Sequence, residues 1–174
     1  MTIIELGAMG ELVGSIAVIF TLAYLAFQVR QNTAQQRSDA IVTIQHGQND
    51  VLKQMADASV VRAYALTADG SKPVSIEEKA RAIIWVLQYI NHFEIVLDAY
   101  KNKQLPKEKY EVWEGFAVAI VASPGIRDWW DNEGGIFAFQ SGVREVIDNK
   151  LRNGDEPVRP FNEMWTIFRA HAWQ

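Results

Sequence analysis

From Leu12 to Val29 the chain reads LVGSIAVIFTLAYLAFQV, with no charge and with Ser15, Thr21 and Gln28 as polar breaks. Adding Leu6 to Gly10 carries the stretch past the roughly 20 residues that cross a hydrocarbon core of about 30 Å. A helix satisfies its own backbone hydrogen bonds there, which lipid cannot do. Three other readings compete. A buried core helix is compatible with a run near the lower length limit. A cleaved signal peptide calls for a basic leader and an A-x-A site, and the sequence has neither. A helix lying in the interface needs a wet polar face, which this run lacks. The expectation is therefore one transmembrane span, with residues 1–30 as anchor and the lipid bilayer as partner. Glu5 and Glu11 precede the run, whereas Arg30 and Arg37 follow it. The positive-inside rule then puts the N-terminus outside and the rest of the chain in the cytoplasm.

One strip of this segment is small and polar. Gly7, Gly14, Thr21 and Gln28 recur every seven residues, Glu11, Val18, Leu25 and Asn32 fill the companion positions, and Gly10 pairs with Gly14 as GxxxG. Small residues let helix backbones approach in lipid, and polar ones hydrogen-bond across the contact. An ionised Glu11 is costly against lipid, so it belongs at the headgroups, in a cavity or in a helix–helix interface. The face Gly7, Glu11, Gly14, Thr21 and Gln28 is thus a candidate seam for a homo-oligomer. A ring of such helices could also line a cation-attracting pore.

The remainder reads as helices only. No Gly or Pro interrupts the chain from Arg30 to Gly47, and Ile41, Ile44, Val51, Met55 and Ala58 keep helical spacing. This predicts a stalk ending near Thr67, before the loop chemistry of Ala68 to Pro73. Ser75 with Glu78 is a capping box opening a second helix. Its stripes, Ile83, Leu87, Ile90 and Leu97 beside Trp85, Tyr89, Phe93, Val96 and Tyr100, make it apolar nearly all round, hence central. Pro106 suits the first turn of a third helix carrying Tyr110, Trp113, Phe116 and Ile120. Ser123-Pro124 starts a fourth, which Gly134-Gly135 ends. A fifth runs from about Phe139 to Leu151 with Val143, Val146, Ile147 and Leu151 inward, and Asn153-Gly154 stops it. In the tail, residues 154–174, Phe161, Met164, Trp165 and Phe168 return at helical spacing after Pro157 and Pro160. The fold class expected is all-α: a single N-terminal transmembrane helix continuing into a cytoplasmic helical bundle over 31–153.

The apolar span leading into Gln28-Val29-Arg30-Gln31-Asn32-Thr33, the helix around Asn91 to Glu94, and Ser123-Pro124-Gly125-Ile126-Arg127-Asp128-Trp129-Trp130 resemble an uncharacterised family of small bacterial membrane proteins. The likeness covers most of residues 10 to 140. It implies a bacterial inner-membrane protein with one N-terminal span and a helical domain, and it transfers no functional residue.

Composition narrows the function classes. The 174 residues carry a net charge of −4 with scattered Lys and Arg, so no basic face offers itself to a nucleic acid. With no Cys, disulfides and thiolate metal sites are excluded. Asn91, His92, Glu94 and Asp98 form a candidate polar site, with Asn91, Glu94 and Asp98 on one face of a helix expected to be buried. Two carboxylates there fit a metal-dependent hydrolase, or pairing with arginines of neighbouring helices. Di-metal bundles use Glu-x-x-His, a pattern this chain lacks, and no metal or cofactor is assigned. Neither His46, His92 nor His171 stands at the spacing from an Arg that helical ribonucleases use, and no Ser-His-Asp set or phosphate loop is recognisable. Trp129 and Trp130 are either a docking patch or core rings, and Trp165 and Phe168 a self- or neighbour-packing stripe. The function expected is a membrane-anchored homo-oligomeric scaffold or regulator without a catalytic site.

Overall fold

The computed structural model describes residues 3–133, 141–153 and 159–161, and every regular element among them is helical. The elements are α1 (Ile3–Gln54), α2 (Ala58–Asp69), α3 (Ile76–Lys101), α4 (Lys107–Val121), α5 (Pro124–Asn132) and α6 (Ser141–Asn153). Two compact units divide the chain, one over Met1–Asp39 and one over Ala40–Gln174. In the first, every described side chain is exposed.

The expected stalk breaks earlier than its stripe suggests. The helical bonding gives way at Met55, Ala56 and Asp57, whose amides donate to Leu52, Lys53 and Gln54 at 2.9, 3.1 and 3.1 Å, the tighter i to i−3 pattern. Asp57 then takes an extended conformation (φ −80°, ψ 115°), and its carboxylate accepts from the Ser59 amide at 2.7 Å, capping α2. The last carbonyls of a helix lack partners in the helix itself. Here the Trp85 indole of α3 donates to the Val51 carbonyl at 3.3 Å, so the end of α1 is finished from the domain core. The signal in the sequence was Asp57 alone, without Gly or Pro.

The second unit is built around α3, which packs against α2, α4 and α6. Its Ala82, Trp85, Val86, Ile90, Phe93, Val96 and Leu97 are buried, with Trp130 and Ile126 of α5 and Val143 and Ile147 of α6 closing the core. From α1, Ile44 and Val51 join this core. Tyr64 of α2 meets Trp85 edge to face at 5.0 Å, and Phe161 lies against both. Coverage of α3 is not complete, however. Ile84, Asn91, Ile95 and Asp98 follow one another at steps of seven, four and three residues and leave an exposed strip.

The start of α3 is as predicted. Ser75 Oγ accepts from the Glu78 amide at 3.2 Å, and Glu78 Oε2 accepts from the Ser75 amide at 3.3 Å. Ser75→Ala removes one half of this box and is expected to lower the domain's stability by about 1 kcal/mol, read from chemical denaturation of the full chain in mild detergent. Pro106 differs slightly from expectation: it is the residue before α4, with extended backbone (φ −63°, ψ 149°), rather than a member of its first turn.

Candidate functional site

Two features remain as candidates once the domain core is accounted for: the uncovered N-terminal helix and the polar residues of α3. In α1 the portion before Asp39 is long and apolar enough to cross a bilayer, and none of its most apolar window is buried within the protomer. Ile16, Ile19, Phe20, Leu22 and Phe27 are all exposed. A Cβ placed on Gly7, Gly10 or Gly14 would meet nothing within 4 Å. The face Gly7, Glu11, Gly14, Thr21 and Gln28 is therefore contiguous and open, turning by about 20° per heptad on a straight helix.

The polar members of this face are partly engaged along their own helix. Thr21 Oγ1 donates to the Ala17 carbonyl at 2.8 Å, as Ser15 does to Glu11 at 2.8 Å. The Gln28 amide nitrogen donates to Tyr24 Oη at 2.7 Å. A hydroxyl that has given its hydrogen to the preceding turn can still accept but not donate. What this face offers a partner is thus close backbone approach at the glycines, with acceptors at Thr21, Glu11 and the Gln28 carbonyl and a donor in the second Gln28 N–H.

The polar site on α3 needs correction. Asn91 and Asp98 lie on the exposed strip, Glu94 is half-buried, and His92 is buried on a different side. The face expected to be buried is the one the neighbouring helices leave open, because the aromatic stripe through Trp85, Tyr89 and Phe93 takes the interior instead. Among the described residues, no three His, Asp or Glu side chains gather closely enough to hold a metal ion. Burial alone holds the His92 imidazole below its ordinary pKa of 6.5. The ring stands edge to face on Trp113 of α4, centroids 5.3 Å apart, and against Gly47 of α1.

Trp129 and Trp130 are core residues, not a docking patch. They are 6% and 0% exposed. The Trp130 indole donates to Asp148 Oδ1 of α6 at 2.9 Å, and the Arg144 guanidinium lies 5.4 Å above the ring. An amphipathic nine-residue helix led by a Ser-Pro start has one apolar side to bury, and the two Trp residues are most of it. Trp165 and Phe168 lie outside the described residues, as do Met164, Gly134 and Gly135.

The remaining members of the Ser123 to Trp130 segment also act in packing. Ser123 is fully buried and does not cap α5 with its side chain; its Oγ shares a 3.2 Å hydrogen bond with Tyr64 Oη of α2. Burial raises the Tyr64 pKa above its ordinary value, so the phenol stays neutral. Gly125 abuts the Thr67 carbonyl and Gly70, the left-handed residue (φ 67°) that ends α2. A cavity of about 420 Å³ opens beside this crossing, lined among others by Thr67, Lys72, Lys79, Gly125 and Asp128. Lys79 is paired with Glu133 at 2.8 Å, and Asp128 accepts from Asn132 at 2.9 Å, so its walls carry charges of both signs. Sequence reasoning also missed Glu114 of α4, buried between the Tyr110 hydroxyl at 2.9 Å and Lys150 of α6 at 3.1 Å. An alternation of Tyr110 and Glu114 one turn apart was the available signal.

No family profile, curated protein or solved structure matches this chain.

Proposed function

We propose that the protein is a membrane-anchored homo-oligomer whose N-terminal helices associate through the Gly7, Glu11, Gly14, Thr21 and Gln28 face, and whose helical domains serve that assembly as scaffold or regulator. One observation carries the reading: a helix apolar enough to span lipid is left uncovered by its own protomer, with three glycines open along one strip. Exposed apolar surface on this scale calls for cover by lipid or by other copies. Lipid covers the leucine, isoleucine and phenylalanine sides. The glycine side gives lipid little to contact, whereas another helix can approach it closely.

Glu5 and Glu11 before the run, against Arg30 and Arg37 after it, support an N-terminus outside and a cytoplasmic domain. Placement in a bacterial inner membrane is part of the same proposal and rests on the resemblance read from the sequence alone. A conducting pore would need the same association and would place a ring of Glu11 carboxylates at its mouth. Conduction thus presupposes association, and association is the reading proposed.

Gly14→Leu tests the reading. It inserts a bulky side chain where helices would meet and is expected to weaken association at least tenfold in mild detergent, measured by dilution-dependent energy transfer between labelled protomers. Ala23→Leu, on the opposite side of the helix, is expected to leave association unchanged. Equal behaviour of the two variants would remove the seam from the account.

A further inference from the structure

Between the end of α1 and the pair α3–α4, a histidine is packed in a way that burial favours only when it is uncharged. His92 is 5% exposed, and its Nε2 is buried with no hydrogen-bond partner. On its other edge the ring fills the notch at Gly47: a Cβ there would stand 2.7 Å from Nδ1 and 2.9 Å from Cε1. Trp113 closes the third side. The same stretch of α1 is held by Ile44 and Val51 in the core and by the Trp85 indole on the Val51 carbonyl.

The charges around the ring do not offset a proton. From α1, His46 and Asp50 flank Gly47, and both are exposed. Asp50 is paired with Lys53 at 2.8 Å. From α4, Glu114 beside Trp113 is engaged by Tyr110 and Lys150. On α3 itself, Glu94 lies on a different side of the helix and Gln88, one turn before, is not ionisable. Among the described residues no ion pair includes His92. Among the described residues, an imidazolium here would be a buried cation whose Nε2–H has no hydrogen-bond partner. Gln88 Oε1, one turn before, is likewise buried and unpaired but does not bond the ring.

We propose that the fit of His92 into the Gly47 notch is an acid-sensitive clasp, so that protonating the imidazole releases residues 40–54 of α1 from α3 and α4. The sign follows from linkage. The clasped form holds the ring below its ordinary pKa of 6.5, whereas the released form restores it. The clasp is therefore at full strength above pH 6.5. As pH falls below that value, the ratio of released to clasped molecules rises by up to about tenfold per pH unit, until the lowered pKa is reached. Release would free a segment without unfolding the domain, because Trp85, Phe93 and Trp130 keep α2 to α6 together.

Hydrogen exchange on the full chain in mild detergent, at pH 7.5 and pH 5.0 and corrected for intrinsic rates, tests this. Amides of residues 44–54 are expected to exchange severalfold faster at pH 5.0, those of α5 and α6 to change little, and His92→Phe to abolish the difference. The clasp is overturned if protection is the same at both pH values, if it falls equally in every helix, or if the difference persists in His92→Phe. Should that variant not fold, the wild-type imidazole decides. Nitrogen NMR, assigned with His46→Gln and His171→Gln, is expected to show His92 titrating with a midpoint below pH 6.5, and a midpoint at or above that pH overturns the proposal.

Discussion

Gly125→Ala is expected to lower the stability of the helical domain by about 3 kcal/mol, at the upper end of the cost of overpacking a close-packed site. For a chain of this length that corresponds to a fall in Tm of roughly 6–12 °C. The Cβ of alanine would collide with the Thr67 carbonyl oxygen and stand 3.1 Å from Gly70 Cα. Both obstacles are backbone, so no side chain can turn aside, and relief requires α2 and α5 to part. Gly70 on the opposite side is itself fixed in a left-handed turn (φ 67°) and cannot easily yield. Parting the helices would also strain the Tyr64–Ser123 hydrogen bond two residues away. Thermal unfolding followed by tryptophan fluorescence measures the loss, and a Tm within 2 °C of wild type would show that this crossing has slack the geometry denies.

Trp130→Ala is expected to cost more, about 3–5 kcal/mol, the range for emptying the space of a large aromatic in a core. Its ring is fully buried between α5 and α6. Truncation would leave a cavity, uncover Asp148 Oδ1 and remove the surface over which Arg144 lies. Trp130→Phe separates these contributions. It keeps most of the apolar volume and loses the indole N–H, so a cost of about 1–2 kcal/mol is expected from the unpaired acceptor and the lost hydrogen bond. Denaturant titrations of the two variants check the difference. A truncation costing under 1 kcal/mol would mean that α5 and α6 do not pack around this ring.

The sequence disclosed the elements whose boundaries are local chemistry. Ser75 and Glu78 meet in a capping box, the helix expected to end near Thr67 runs to Asp69, and Val143 and Ile147 face inward from α6. The apolar run of α1 was equally plain, because length and composition alone decide it. What eluded the sequence was decided by tertiary contacts. The apolar stripe from Ile41 continues unbroken to Ala58, yet the helix stops at Gln54, where Trp85 reaches the Val51 carbonyl and Asp57 caps the next helix. The strip through Ile84, Asn91, Ile95 and Asp98 stays open since α2, α4 and α6 cover the other sides of α3. Ser123 has the sequence of a cap, but its hydroxyl shares a hydrogen bond with a tyrosine from another helix. Asn91 and Asp98 consequently became surface, and His92, one residue from Asn91, became a packing element against Gly47.

Association of the N-terminal helices is the claim on which the functional reading stands, and the mass of the assembly in a bilayer tests it most directly. The full chain, 19.7 kDa per copy, would be released from lipid nanodiscs into a native mass spectrometer over a range of protein-to-disc ratios. The account predicts a dominant species at a whole multiple of that mass, two copies or more, persisting when discs are in excess. A single copy per disc at every ratio would contradict it.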